Sequence, residues 1–313
     1  MTGVVVAAVQ VAVVAGGAPL LVGVMRQLRA RLEGRAGPGI AQPWRDLRKL
    51  LRKEPVTPRG TSEVFRAAPI VLMATTLVVA AVVPFLSTES ALGPVADLFA
   101  VVALLTLGAV ALALGGIDTG TAFGGMGASR EMTIIALVEP TLLVAIFALS
   151  VRVGSTNLGQ IVTSTLHDPA RVISPVSLLA VLALTVAAIA ETGRLPVDNP
   201  ATHLELTMVH EAMVLEYAGP DLALVEWASA VRLAVFLGLL ANLFAPWGIA
   251  TGGGVLALAL AVVALAGKVT VLGLALAAAE VAMAKLRLFR VPELLAGSFL
   301  LALLAATASY FLA

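Results

Sequence analysis

Residues 67–86, Ala67-Ala-Pro-Ile-Val-Leu-Met-Ala-Thr-Thr-Leu-Val-Val-Ala-Ala-Val-Val-Pro-Phe-Leu86, carry no charged side chain. A bilayer's hydrocarbon core is about 30 Å thick and a helix rises about 1.5 Å per residue, so this stretch reads as a membrane-spanning helix. The same reading repeats outward at 3–24, 94–115, 132–151, 172–190, 224–245, 253–283 and 292–312, which predicts about eight spans. The seventh stretch is longer than one crossing needs. It should tilt, project past the membrane near Ala284, or break near Lys268.

Composition agrees with an all-α, polytopic membrane protein forming a single transmembrane domain over residues 1–313. Sixty per cent of the residues are hydrophobic and 12% charged, whereas soluble domains carry about 25% charged residues. The first apolar run has no basic stretch ahead of it, which reads as a retained helix rather than a cleaved signal. Cysteine is absent, which removes disulfides and the thiolate ligands of zinc, iron-sulfur and nickel-iron centres. No metal or cofactor is expected in this chain; any such centre would sit on a partner.

Eleven of the 20 lysines and arginines fall between the first two spans, from Arg26 to Arg66. Loops on the same side add Arg130, Arg194, Lys285, Arg287 and Arg290, while the other side has Arg152 and Arg171. The positive-inside rule then places loops of about 25–66, 116–131, 191–221 and 284–291 in the cytoplasm and both termini outside. In the first loop Leu47, Leu50 and Leu51 recur at helical spacing among Arg45, Arg48, Lys49 and Arg52. That is a short basic amphipathic helix on the membrane surface, suited to anionic lipid or to a docking partner. Ahead of it, Gly34, Gly37, Pro38 and Gly39 prescribe a tight turn.

The loop after the fifth span, Glu191-Thr-Gly-Arg-Leu-Pro-Val-Asp198 through His203, Glu205, His210 and Glu211 to Glu216-Tyr217, mixes charges with apolar residues. Asp198-Asn-Pro is a turn, and Leu204, Met208 and Leu215 then form the buried side of a helical pattern. A merely solvated loop would not need them, so this one should pack against or enter the membrane domain. His167, His203 and His210 do not make a metal array; hydrogen-bonding loop histidines are the simpler reading. Gly124-Gly-Met-Gly127 and Gly252-Gly-Gly254 follow no strand, so loop flexibility or helix packing accounts for them rather than phosphate binding.

Charges inside spans are costly, about 2.5–3.5 kcal/mol each even on lenient scales, and normally face a bundle interior. Glu139, Glu191, Glu226, Arg232, Lys268 and Glu280 are such residues. Glu226 and Arg232 are six apart, so they are not i,i+4 partners and Arg232 should pair elsewhere. Carboxylates at Glu139, Glu191 and Glu216 could relay protons; static ion pairs or side chains reaching the interface are the alternative.

With those residues laid out, the chain resembles the family of subunit 1 of respiratory NADH dehydrogenase (complex I) and the equivalent membrane subunit of formate hydrogenlyase and other group 4 nickel-iron hydrogenases. The resemblance rests on Arg31-Leu-Glu-Gly-Arg35-Ala-Gly-Pro-Gly39 with Gln42, Asp46 and Lys49. Ser129-Arg130-Glu131 leading to Glu139, Ala190-Glu-Thr-Gly-Arg194 with Pro196 and Asp198, and Glu216-Tyr-Ala-Gly219 complete it. Gly193, Val197 and the Ala201–His203 region look like the hydrogenase branch and point away from quinone binding.

The resemblance implies that Glu139, Glu191, Glu205 and Glu216 match carboxylates of the polar channel between the cytoplasmic redox module and the membrane arm; Lys268, charged within its span, joins them as a proton-relay candidate. Arg31, Arg35, Asp46, Lys49, Arg130, Arg194, Asp198, His203, His210 and Glu211 would form the loops that dock partners. Hydrogenase large and small subunits carrying the [NiFe] centre and iron-sulfur clusters would sit on the cytoplasmic face, antiporter-like subunits beside the chain, and the whole in the cytoplasmic membrane. A quinone-site subunit of complex I, a passive anchor and a free-standing ion transporter are the rival readings.

Overall fold

The computed structural model describes residues 3–198, 208–252, 254–284 and 286–312. In chain order the helices are α1 (Gly3–Leu32), α2 (Gln42–Leu50), α3 (Glu63–Val82), α4 (Leu98–Asp118), α5 (Ala122–Val151) and α6 (Leu158–His167). There follow α7 (Pro175–Glu191), α8 (His210–Val214), α9 (Gly219–Phe244), α10 (Val255–Ala282) and α11 (Val291–Leu312). Among the described residues seven helices, α1, α3, α4, α5, α9, α10 and α11, are long and apolar enough to cross a membrane. The apolar α7 has 17 residues, at the short limit for a crossing. Each predicted span therefore has its helix, and the chain is a multi-pass membrane protein.

α10 runs unbroken through Lys268. α5 starts ten residues before the predicted span, because the Thr121 hydroxyl accepts the Gly124 N–H at 3.2 Å and caps it. Arg130 and Glu131 consequently stand on a helix rather than in a loop. The glycines here serve packing: a Cβ on Gly127 would lie 2.8 Å from the Val209 carbonyl oxygen and 2.9 Å from the Ala212 side chain. Only a small residue lets α8 come so close. α6 has no counterpart in the predicted spans; its ten residues include polar ones, and Asn157 caps it through the Gln160 N–H at 3.2 Å.

Long-range contacts sort the helix ends into two groups. At one end, Ser62 binds Asp118 at 2.7 and 2.9 Å and Arg29 pairs with Glu280, which gathers the basic loops. At the other, Ser87 bridges to Ala250 and Asp97 to Asn157, and Gly3 lies against Ala91. The start of α1 belongs to this second end. The turn at 34–41 folds back on α1, where a Cβ on Gly23 would sit 1.9 Å from the Ile40 carbonyl oxygen.

α3 stops at Val82 ahead of Pro84, and the backbone groups left without helical partners there belong to buried residues. Gln10, itself buried, answers them: Nε2 donates to the Ala80 and Val83 carbonyls at 2.7 Å, and Oε1 accepts from Phe85 and Leu86 at 3.2 and 3.0 Å. Asn242 Nδ2 donates to the Pro84 and Phe85 carbonyls at 2.9 Å. Lys268 Nζ then donates to Asn242 Oδ1 at 2.6 Å and to the Ala245 carbonyl at 3.0 Å.

Candidate functional site: a charged cavity at the basic end

α7 ends at Glu191, whose partner Arg232 lies 13 residues into α9, roughly 20 Å along its axis. The short helix thus leaves room inside the bundle for residues 192–198. Around that gap is a cavity of about 360 Å³, walled by α1, α2, α8, α9 and the end of α10. Its lining includes carboxylates of Asp46, Glu191, Asp198, Glu211, Glu226 and Glu280, guanidinium groups of Arg26, Arg29, Arg194 and Arg232, and His210.

Glu191 forms an ion pair with Arg232, both side chains under a tenth exposed. Arg232 Nη1 also donates to the Leu105 carbonyl of α4 at 2.9 Å, and its guanidinium stands 5.9 Å from the Phe236 ring centroid. Arg232 Nε is buried with no hydrogen-bond partner among the described residues. The expectation that Arg232 pairs away from Glu226 is met by a residue 41 positions distant in the chain.

Glu280 is buried at 3% exposure and holds two arginines, Arg29 of α1 and Arg194 of the 192–198 segment, the latter at 3.5 Å. Burial lowers the Arg194 guanidinium below arginine's usual pKa, against the opposing pull of Glu280. Asp198, 2% exposed, accepts the backbone N–H groups of Val209 and His210 at 3.3 and 3.2 Å. His210 Nε2 lies 3.3 Å from the Ser229 hydroxyl. Burial lowers the imidazole's pKa, with Asp198 pulling the other way and Arg232 and Arg194 reinforcing the fall.

Segment 208–217 packs inward, as its apolar content predicts: Met208, Val209, Ala212, Met213, Val214 and Tyr217 are all buried. Leu215 is 48% exposed, contrary to expectation. α8 is a five-residue turn whose Ala212, Met213 and Val214 meet the membrane helices, and Leu215 faces away. Arg130 Nη1 donates to the Met208 carbonyl at 3.0 Å, tying α5 to this segment.

The remaining predicted residues divide. Asp46 lines the cavity and accepts from Gln42 at 2.9 Å. Arg31 and Lys49 are exposed, as is Arg35, which pairs with Glu33. Glu139 and Glu216 are half-buried, with no ion pair or hydrogen bond among the described residues. Lys268 stands 12 residues from Glu280 on α10, roughly 18 Å away along the helix, and is occupied at the Asn242 joint. His203 and Glu205 lie outside the described residues.

Glu131 is the residue whose part in the cluster sequence reading missed. It stands on α5 within electrostatic range of Glu191, Arg232 and Asp198. Glu139 follows eight residues later on the same helix, about 12 Å further. The spacing was visible as one helical stripe, but only once 122–131 is known to be helix.

The NADH dehydrogenase family model matches residues 4–310. Formate hydrogenlyase subunit 4 of Escherichia coli (strain K12) is 36% identical over 292 residues, covering 92% of each chain. Hydrogenase-4 component C of the same organism is 38% identical over 231 residues, 74% of this chain and 71% of that one. A chain of the membrane-bound sulfane sulfur reductase, an archaeal respiratory membrane complex, has the same fold, with a TM-score of 0.81 at 19% identity over 98% of this chain and 99% of that chain.

Proposed function

The chain belongs to the NADH dehydrogenase family, and on that footing we propose that it is the integral membrane subunit of a formate hydrogenlyase-like hydrogenase complex. It anchors a cytoplasmic hydrogenase module, whose large and small subunits carry the [NiFe] centre and iron-sulfur clusters, and couples electron transfer there to proton or ion movement in the cytoplasmic membrane. Likeness to formate hydrogenlyase subunit 4 along 92% of both chains supports this branch. The orientation that fits puts the basic loops in the cytoplasm beside the module.

The observation that carries the coupling role is the buried Glu191–Arg232 pair at the base of the charged cavity, with Glu131 in range. Such a pair is weak as a source of stability but well suited to respond to a change in nearby charge. Because Asp198 holds the Val209 and His210 N–H groups, a shift of residues 192–198 moves Arg194, Asp198 and His210 together, and so alters the field at Glu191 and Glu131. Protons would then pass by Glu131 and Glu139 toward antiporter-like partner subunits.

Purification of the native complex in mild detergent, followed by assays for nickel, iron-sulfur clusters and hydrogen-dependent dye reduction, tests the assignment. Nickel with hydrogenase activity is the expected result. A nickel-free, flavin-containing complex that reduces quinone would assign the chain to the respiratory branch instead.

A further inference from the structure

Proline has no N–H, so a proline inside a helix leaves the carbonyl four residues earlier without its helical donor, and its ring distorts the adjoining turn. Pro19 sits inside α1 and opens the carbonyl of Ala15 in this way. Trp227 of α9 fills it, with Nε1 donating to the Ala15 carbonyl at 2.9 Å. The next carbonyl, that of Gly16, accepts from Nε1 of Trp44 of α2 at 3.2 Å. The two indoles meet edge to face, with centroids 5.6 Å apart and planes at 66°. The same device recurs in α3, where Pro69 opens the Phe65 carbonyl and the Tyr217 hydroxyl donates to it at 3.0 Å.

These bonds sit at the cavity. Pro19, Pro43 and Glu226, each on the wall, are the turn itself and the immediate chain neighbours of Trp44 and Trp227. α2 packs against α1 and α9, and it presents Pro43, Asp46, Leu47 and Leu50 to the cavity. Its main helix neighbours are those two, and the indole bonds tie it and α9 to backbone carbonyls that the proline turn leaves short of helical donors.

We propose that Trp44 and Trp227 are positioning residues, a clasp on the Pro19 turn that holds α2 closed over the charged cavity. Breaking the clasp opens the cavity between α1 and α2. The role follows from the proline: where Pro19 is absent, the helix answers its own carbonyl and the Trp227 bond loses its purpose.

The cysteine-free sequence makes a direct test practicable. A single reporter, Ala230→Cys on the α9 wall, is introduced into the full chain in native membranes within its complex, and its labelling rate by a membrane-permeant maleimide is measured. Trp44→Phe and Trp227→Phe, which keep the ring and delete the N–H, should each raise the rate about three- to tenfold. Pro19→Ala should raise it similarly, and Trp227→Phe should then add nothing. An equal effect of Trp227→Phe with and without Pro19, or no effect, would overturn the proposal. A benzothienylalanine at position 227, an indole shape without the N–H, reads the same bond should Pro19→Ala fail to accumulate. A raised rate again supports the clasp, and a wild-type rate rejects it.

Discussion

Arg232 and Glu191 face each other in the interior of the bundle, joining the last residue of α7 to the middle of α9 with both side chains almost wholly withdrawn from the surface. A buried pair of this kind stabilises little against an apolar replacement, yet losing one member leaves the other charged and unanswered at a cost of about 3–5 kcal/mol. Glu191→Gln should therefore lower the melting temperature of the purified complex by several degrees. The double substitution Glu191→Leu with Arg232→Met should recover most of that loss without restoring ion movement. A Glu191→Gln variant that melts with the wild type would remove the pair from the account.

The proposed relay makes Glu131 and Glu139 matter for coupling rather than for stability. Glu131 lies within range of the Glu191–Arg232 pair, and Glu139 stands two turns deeper on α5. Glutamine keeps the shape and removes the exchangeable charge. Either Glu131→Gln or Glu139→Gln should leave hydrogen-dependent dye reduction near wild type while abolishing acidification in reconstituted vesicles. Full acidification by both variants would favour a passive anchor.

The spans, and with them the fold class, were legible because membrane solvent imposes one simple demand, a long run of apolar residues, and residues 67–86 meet it unaided. α6 and the first turns of α5 were not legible, since polar Asn157 and Thr121 start them through local hydrogen bonds rather than hydropathy. The site was legible as a set of charges and not as a set of pairs. Arg29 and Glu280 are 251 positions apart, and nothing local in the sequence distinguishes Glu280 from Glu226 as the arginine's partner. Lys268 shows the same limit: its intramembrane position marks it as a relay candidate, but its partners, Asn242 and the backbone beyond α9, are visible only in the fold.

His210 gives the site a pH dependence whose sign is fixed by burial. The unfolded imidazole takes up a proton near pH 6.5, whereas in the folded chain burial holds its pKa below that value despite Asp198. Over the interval between the two pKa values the unfolded state binds more protons, so stability rises with pH. The contribution is complete above about pH 6.5 and is lost as pH falls from there through the lower folded pKa. Thermal unfolding of the wild type should therefore show a decline as pH falls below about 6.5 that His210→Gln flattens. An unchanged slope in the variant would place the proton uptake elsewhere.

Glu280 decides whether residues 192–198 stay on the membrane helices. Its carboxylate lies between Arg29 and Arg194, and the Leu286 N–H adds a second tie to the Pro196 carbonyl at 2.9 Å. Replacing Glu280 by glutamine leaves two guanidinium groups close together without the charge that balances them, and Arg194 loses its ion-pair partner while still largely withdrawn from the surface. The 192–198 segment should then come away from α10 while α7 and α9 stay joined through Glu191 and Arg232. Limited proteolysis in native membranes should cut Glu280→Gln faster within residues 192–198, with the transmembrane fragments intact. Arg194→Gln should show a smaller effect, because Arg29 still neutralises Glu280. If both variants resist proteolysis as the wild type does, the segment is held by its packing and by Asp198 rather than by the arginine pairs.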